Sequence, residues 1–273
     1  MRIAFQGEAG AFSEAALFEH FGSETESVAC PSFRDVFLAV ETRNCDFGII
    51  PIENSLAGSI HQNYDHLIES QLNIVGEHFL RVRHCLLAKP GVQLQEIHKV
   101  ISHPQALAQC EHYLRSLKGV TVEPFYDTAG SVKAVSEMES RDVAAIASKR
   151  AAEVYGLHIL QEGIEDNQAN FTRFLVLSID SGDDPGEDAK TSIVFTLANQ
   201  PGSLFKAMSV FALRDIDLTK IESRPLVGKP WEYLFYIDFL GSTTNLTITR
   251  ALDHLREYSI NLRVLGSYPR HHL

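Results

Sequence analysis

Residues 98–110 read HKVISHPQALAQC. Val100 and Ile101 form the centre of a short apolar strand. Ser102 and His103 stand where a helix N-cap belongs, and Pro104 suits the first helical turn. The pattern then predicts a helix from Pro104 to Leu117. A strand that runs straight into a helix is half of a βαβ unit, and this one opens such a series for the second time in the chain. The rest of the sequence can be read outward from that restart.

Upstream, Ile3-Ala4-Phe5 reads as a strand and Ala11 to Phe21 as a helix. The segment VAC (28–30) leads into a helical pattern from Phe33 to Thr42. FGIIPIE (47–53) is a continuous apolar run of the kind buried in parallel sheets. A helix from Ile60 to Glu69 follows, then LNIVGEHFLRVRHCLLA (72–88), one or two longer strands. Downstream come strand VTVEPF (120–125), helix Thr128 to Met138, strand VAAIAS (143–148), helix Ser148 to Tyr155, and strand FTRFLVLSI (171–179). Alternation of this kind predicts mostly parallel sheets. The restart near residue 99 predicts two α/β lobes, with the chain crossing back late. A cleft between lobes is the default place for a ligand.

DSGDDPGEDAK (180–190) has no apolar periodicity and reads as a linker between domains 1–180 and 190–269. Beyond it, KTSIVFTLA (190–198) is a strand and Leu204 to Leu213 a helix. IDLTKIESRPL (216–226) and WEYLFYIDFLG (231–241) are strands around a VGKP turn. TTNLTITRALDHLREY (243–258) is a helix and INLRVLGSYP (260–269) a strand. The order βαββαβ is ferredoxin-like. The closing RHHL reads as a frayed polar end.

The 273 residues are 45% hydrophobic and 22% charged, an ordinary globular composition. A formal net charge of −11 argues against a nucleic-acid backbone as partner. An anionic small molecule must then be met by local donors. The four cysteines, Cys30, Cys45, Cys85 and Cys110, have neither metal-finger nor redox spacing and read as free thiols. The N-terminus lacks a signal-peptide apolar stretch, and no apolar run has membrane-spanning length, so the expectation is a cytoplasmic protein.

Polar residues collect at the C-terminal ends of the strands, where open α/β sheets bind ligands. In QGEAGAFSEAA (6–16), Gly7 and Gly10 allow a close turn into a helix whose N–H groups suit an anion. Such turns are equally common as plain structure. Glu53, Asn54 and Ser55 end the buried strand, either as caps or as groups aimed into the cleft. Gln105 and Gln109 share a helix face. His103 is an acid–base candidate or a cap. Asp127 or Thr128 caps a further helix. In NFTRF (170–174), Thr172 offers a hydroxyl to a leaving oxygen. Arg173 offers a planar cation, for a carboxylate or for a structural pair. No metal-ligand spacing, nucleophile elbow or phosphate loop appears. These patterns alone reach a cleft for a small, carboxylated metabolite.

Taken jointly, QGEAGAFSE, GIIPIENSLAGSI, SHPQALAQC, YDTAGSV, EDNQANFTRF, PGSLFKAMSVF and IESRP go further. In that order and spacing the chain resembles the monofunctional prephenate dehydratases over essentially its whole length. The resemblance implies a two-lobed catalytic domain of type II periplasmic-binding-protein-like α/β fold, followed by a ferredoxin-like βαββαβ ACT regulatory domain. It implies conversion of prephenate to phenylpyruvate, with loss of carbon dioxide and water, without metal or organic cofactor. Thr172 matches the family's essential threonine. Asn54, Ser102 and Gln109 match active-site positions that orient the substrate. Glu53, Ser55, Gln105, Thr128, Arg173 and Phe174 are carried over as substrate-binding positions. In the ACT part, Asn199, Gly202, Ser203, Leu204 and Phe205, with Glu222, Ser223, Arg224 and Pro225, match a pocket for L-phenylalanine. Gly202-Ser203-Leu204-Phe205 departs from the commoner G-A-L-V, which bears on pocket size. The resemblance also implies a homodimer or a tetramer built from two dimers. Arogenate dehydratase, or a two-lobed amino-acid sensor without catalysis, are the other readings that the sequence leaves open.

Overall fold

The computed structural model describes residues 1–226 and 232–272. They fall into two compact units, Met1–Asn63 with His78–Phe174, and Tyr64–Glu77 with Leu175–Leu273.

The first half of the chain runs β1 (Arg2–Gln6), α1 (Phe12–Phe21), β2 (Glu26–Cys30), α2 (Phe33–Glu41), β3 (Phe47–Asn54), the short β4 (Gly58–Ser59), α3 (His61–Glu69) and β5 (Asn73–Arg81). β1 pairs in parallel with β2 and β3, as continuous apolar strands joined by helices should. The series then restarts with β6 (Cys85–Ala88), β7 (Lys99–Ser102), α4 (Pro104–Gln109), α5 (Glu111–Ser116), β8 (Thr121–Pro124), α6 (Thr128–Glu137), β9 (Val143–Ala147), α7 (Lys149–Tyr155) and β10 (His158–Glu162). The returning strand β11 (Phe171–Ser178) inserts between β3 and β5 in the first sheet, order β2-β1-β3-β11-β5. The second sheet has order β10-β6-β9-β7-β8. Here β7 is parallel to β8 and β9, while β6 runs antiparallel to β9 and β10. In the first unit Ile3, Phe5, Leu17, Ile49, Leu87, Ile101, Val132 and Phe174 belong to one buried cluster drawn from both sheets.

Three elements differ from the sequence reading. β4 and β10 carry too few apolar residues to register as strands. The helix expected from Pro104 to Leu117 is broken at Cys110, which adopts φ −118° and ψ 23°. Asp166 is the cause. Its backbone N–H donates to the Gln109 carbonyl at 2.8 Å, and its carboxylate accepts the His112 N–H at 3.1 Å. A neighbouring loop thus replaces the helix's own ladder for one turn.

The second unit carries β12 (Ala189–Leu197), α8 (Ser203–Ala212), β13 (Leu218–Pro225), β14 (Tyr233–Leu240), α9 (Leu246–Tyr258) and β15 (Ser259–Pro269). The sheet order β13-β14-β12-β15, with both central strands antiparallel to their neighbours, is the ferredoxin-like arrangement. Phe195, Phe211, Ile237, Phe239 and Leu255 fill the core between sheet and helices. The opposite sheet face holds Tyr64–Glu77. Lys190 Nζ donates to both Glu77 carboxylate oxygens at 2.7 and 2.8 Å, with both side chains buried. Tyr236 Oη donates to the Tyr64 carbonyl, and the Arg263 guanidinium to the carbonyls of Ser70 and Leu72. The turn expected at 227–230 lies outside the described residues. The closing residues, read as frayed, are tied: His271 N–H donates to Glu77 and the His272 ring pairs with Asp188. No helix among the described residues is long and apolar enough to cross a membrane.

Candidate functional site

Strand β11 starts in the first unit with Thr172 and Phe174 on one face and Arg173 on the other, as a period of two requires. Thr172 and Phe174 line a cleft of about 180 Å³. The other walls are Phe12 and Ser13 from α1, Pro51 and Asn54 from β3, Ile60, Val82 and His84 before β6, His103, Gln105, Ala106 and Gln109 from the α4 region, and Thr128 from α6. Three helix N-termini therefore open onto it, through Ser13, Gln105 and Thr128. The positive ends of the helix dipoles make that end favourable for carboxylates. Among the described residues no Asp, Glu, Lys or Arg side chain lines the cleft.

Local chemistry fixes these groups. Gly10, at φ 88°, lets the first loop lie against α7, where an added Cβ would sit 2.6 Å from the Ala151 Cα. Ser148 Oγ donates to the Gly10 carbonyl at 2.6 Å and caps α7 through the Ala151 N–H. Asn54 closes the β3–β4 turn. Its Oδ1 accepts the N–H groups of Leu56 at 3.0 Å and Ala57 at 2.9 Å. Its Nδ2 faces Asn170 Oδ1 at 2.8 Å, Thr172 Oγ1 at 3.0 Å and the Phe171 carbonyl at 3.2 Å. Thr172 thus accepts a hydrogen bond, and its own proton has no acceptor among the described residues. Asn170 Nδ2 reaches Gln109 Oε1 at 3.1 Å, and the same oxygen lies 2.9 Å from His84 Nε2. Burial lowers the His84 pKa below its ordinary 6.5, against smaller opposing effects of Gln109 and Glu165. The ring is neutral at physiological pH.

Of the residues read from sequence, Asn54, Gln105, Gln109, Thr128, Thr172 and Phe174 meet in this cleft. His103 also lines it and caps α4, its Nδ1 accepting the Gln105 N–H at 3.2 Å. Asp127 is the cap of α6, through the Gly130 N–H. Ser102, Ser55, Glu53 and Arg173 are not among the lining residues. Ser102 is fully buried and donates to the Ile146 carbonyl at 2.6 Å. Ser55 clips the hairpin to β11, donating to the Ala169 carbonyl and accepting the Phe171 N–H. Glu53 stands in the β3–β4 ladder opposite Ser59. Arg173 is buried behind Thr172. Residues missed in the sequence are Phe12, Ser13, His84 and Asn170. A histidine inside the apolar run VRHCLLA was the one available signal for His84.

In the second unit, Asn199, Ser203 and Leu204 line a cup of about 120 Å³ with Leu197, Gln200, Tyr233 and Phe235. Gly202 caps α8 at φ 82°, and Phe205 is 77% exposed. Glu222 and Arg224 lie on the other face of β13. Arg224 pairs with Asp65 at 2.9 Å and Glu222 with Lys220 at 3.7 Å. Ser223 pairs with Phe235 across the ladder, on the cup's side, and Pro225 ends the strand opposite Tyr233.

Comparison with known proteins matches these features to one family. A family model described as prephenate dehydratase covers residues 3–182. The arogenate dehydratase/prephenate dehydratase 2 of Arabidopsis thaliana, named chloroplastic, is 49% identical over 98% of this chain and 73% of its own. The prephenate dehydratase of Arthrobacter aurescens, solved in complex with L-Phe, superposes with TM-score 0.90 at 32% identity, covering 99% of this chain and 90% of that one. A structure described as GqqA, a novel type of quorum-quenching acylase, superposes with TM-score 0.92 at 36% identity, covering 99% and 98%. With its two α/β sheets, its ferredoxin-like third sheet and Thr172 in the cleft, this chain belongs to the prephenate dehydratase family and is a dehydratase.

Proposed function

We propose that the enzyme converts prephenate to phenylpyruvate, carbon dioxide and water, with Thr172 assisting departure of the ring hydroxyl. The ring carboxylate leaves as CO2. Its bonding electrons move into the ring as the C4–OH bond breaks, and the hydroxide departs as water after taking a proton. Aromatisation supplies the drive, so the protein has to align two leaving groups and donate to one of them. The observation that carries the reading is the Asn54–Thr172 bond at 3.0 Å. It occupies the threonine oxygen as acceptor and leaves its O–H free to donate. A threonine is too weak an acid to act alone, so the hydroxyl is taken to work within the Asn54–Asn170–Gln109 network. The N-termini of α1 and α6 are the proposed seats of the two carboxylates, rather than Arg173. Glu53, Ser55 and Ser102 are assigned to holding the cleft's walls.

Arogenate differs from prephenate by an ammonium in place of the keto oxygen. The lack of a carboxylate among the described lining residues favours prephenate. The arogenate dehydratase names among the relatives favour the other substrate. Parallel turnover of both, by wild type and Thr172→Ala, tests the assignment. An acylase would need an activated nucleophile. Among the described residues neither His84 nor His103 bonds to a hydroxyl in this cleft, which supports the dehydratase over hydrolysis. Turnover of neither substrate would favour the sensor reading.

We extend the proposal to a regulatory domain over 190–269 that takes L-phenylalanine at the cup of Asn199, Ser203 and Leu204. Its 120 Å³ is small against the roughly 300–1,000 Å³ of sites for drug-sized ligands, so a second copy is expected to complete it. Phe205, Leu213, Ile221, Leu246 and Ile260 leave exposed apolar surface in this unit, in support of a homodimer or dimer of dimers. A reducing cytoplasmic compartment is proposed on the four buried free cysteines.

A further inference from the structure

The polarity of the cleft is set by a chain of amides with only one consistent orientation. The Leu56 and Ala57 N–H groups can only donate, so the Asn54 atom facing them is Oδ1. Asn54 Nδ2 must then face the β11 side, where the Phe171 carbonyl can only accept. Asn170 therefore turns Oδ1 to Asn54 and Nδ2 to Gln109. Gln109 must answer with Oε1, and that oxygen also meets His84 Nε2. An oxygen acceptor requires Nε2 to carry the hydrogen. The remaining ring nitrogen, His84 Nδ1, is buried and without a partner among the described residues.

We infer that Asn170 is a positioning residue of this enzyme, holding the Gln109 amide and, through it, the His84 tautomer. Asn170 is fully buried and does not line the cleft, so it acts only through its two partners. Held this way, the network leaves the cleft two side-chain donors, Thr172 Oγ1–H and Gln109 Nε2. Reversing Gln109 would exchange a donor for an acceptor in the cleft and move the His84 ring proton. A substrate oxygen would then meet the Gln109 carbonyl where the native cleft presents an N–H. The inference rests on the assignment of this cleft to substrate made above.

Asn170→Asp is the direct test. A carboxylate at this position still accepts from Asn54 but cannot donate to Gln109. Gln109 then turns its Nε2 to both the new carboxylate and His84, and the ring proton moves from Nε2 to Nδ1. The readout is two-bond ¹H–¹⁵N NMR of ¹⁵N-histidine-labelled full-length protein at pH 8, with His84→Gln as the assignment control among the 12 histidines. We expect the Nε2–H tautomer in wild type and the Nδ1–H tautomer in Asn170→Asp. The expected kinetic effect is a roughly 10²-fold fall in kcat with KM within about threefold. If the buried charge prevents folding, Asn170→Ser, which can donate or accept, is expected to show both tautomers and an intermediate kcat. A variant that retains the wild-type tautomer, or switches tautomer at wild-type kcat, would overturn the inference. The NMR needs no substrate, so failure of the polarity argument and failure of the substrate assignment give separate signals.

Discussion

Thr172 and Arg173 are adjacent, yet they belong to different environments. Thr172 faces the cleft and Arg173 packs behind it, so a substitution at each has a different expected signature. Thr172→Ala is expected to lower kcat about 10²- to 10⁴-fold, the usual reach of a positioned proton donor, with an unchanged circular dichroism spectrum. Thr172→Ser, which keeps the O–H, should recover most of that loss. Arg173→Ala is expected to show as lost stability in denaturant unfolding before it shows as altered KM. His84 gives a pH signature. Its pKa is depressed in the folded state, chiefly by burial. Between that value and the ordinary 6.5 the unfolded chain binds the extra proton, so stability rises with pH through this window and falls as pH drops below 6.5. Urea unfolding from pH 7.5 to 5 should show this slope, and His84→Asn should flatten it.

At the scale of elements, the close approaches are the vulnerable points. Gly10→Ala puts a side chain at positive φ and against the Ala151 backbone. The backbone conformation alone costs about 1–3 kcal/mol, so a clear loss in thermal stability is expected. The Glu77–Lys190 pair behaves differently. Removing one buried partner strands the other charge, and Glu77→Ala should cost about 3–5 kcal/mol in urea unfolding. Replacing both by Met should cost much less, because no unpaired charge remains. Most elements were legible in the sequence because strands such as FGIIPIE and VAAIAS announce themselves by apolar continuity. The helix break at Cys110 was not, because its cause, Asp166, lies 54 residues from the His112 N–H that it accepts. The same limit applies to the site. Asn54, Gln109 and Thr172 stood at strand and helix ends where polarity is visible. Asn170, 116 residues from Asn54, acts through a bond that no local pattern encodes. The face-by-face separation of Glu222 and Arg224 from Ser203 likewise appears only once β13 is set in its sheet.

The whole molecule joins a neutral, donor-rich cleft to a separate ferredoxin-like unit with its own small cup. On the proposed regulation, millimolar L-phenylalanine should reduce prephenate turnover in wild type. It should do so markedly less in Ser203→Trp, which fills the cup, each variant being compared with its own phenylalanine-free rate. Equal rates with and without the amino acid in wild type would remove the regulatory role. The central claim, a dehydratase whose threonine hydroxyl assists the leaving group, meets its most direct test in one assay. Phenylpyruvate formation from prephenate at neutral pH would be followed for wild type, Thr172→Ala and Thr172→Ser, with arogenate as parallel substrate. The account predicts rapid prephenate turnover by wild type, near loss in the alanine variant and substantial recovery in the serine variant. Full activity of a correctly folded Thr172→Ala, or no turnover of either substrate by wild type, would contradict it.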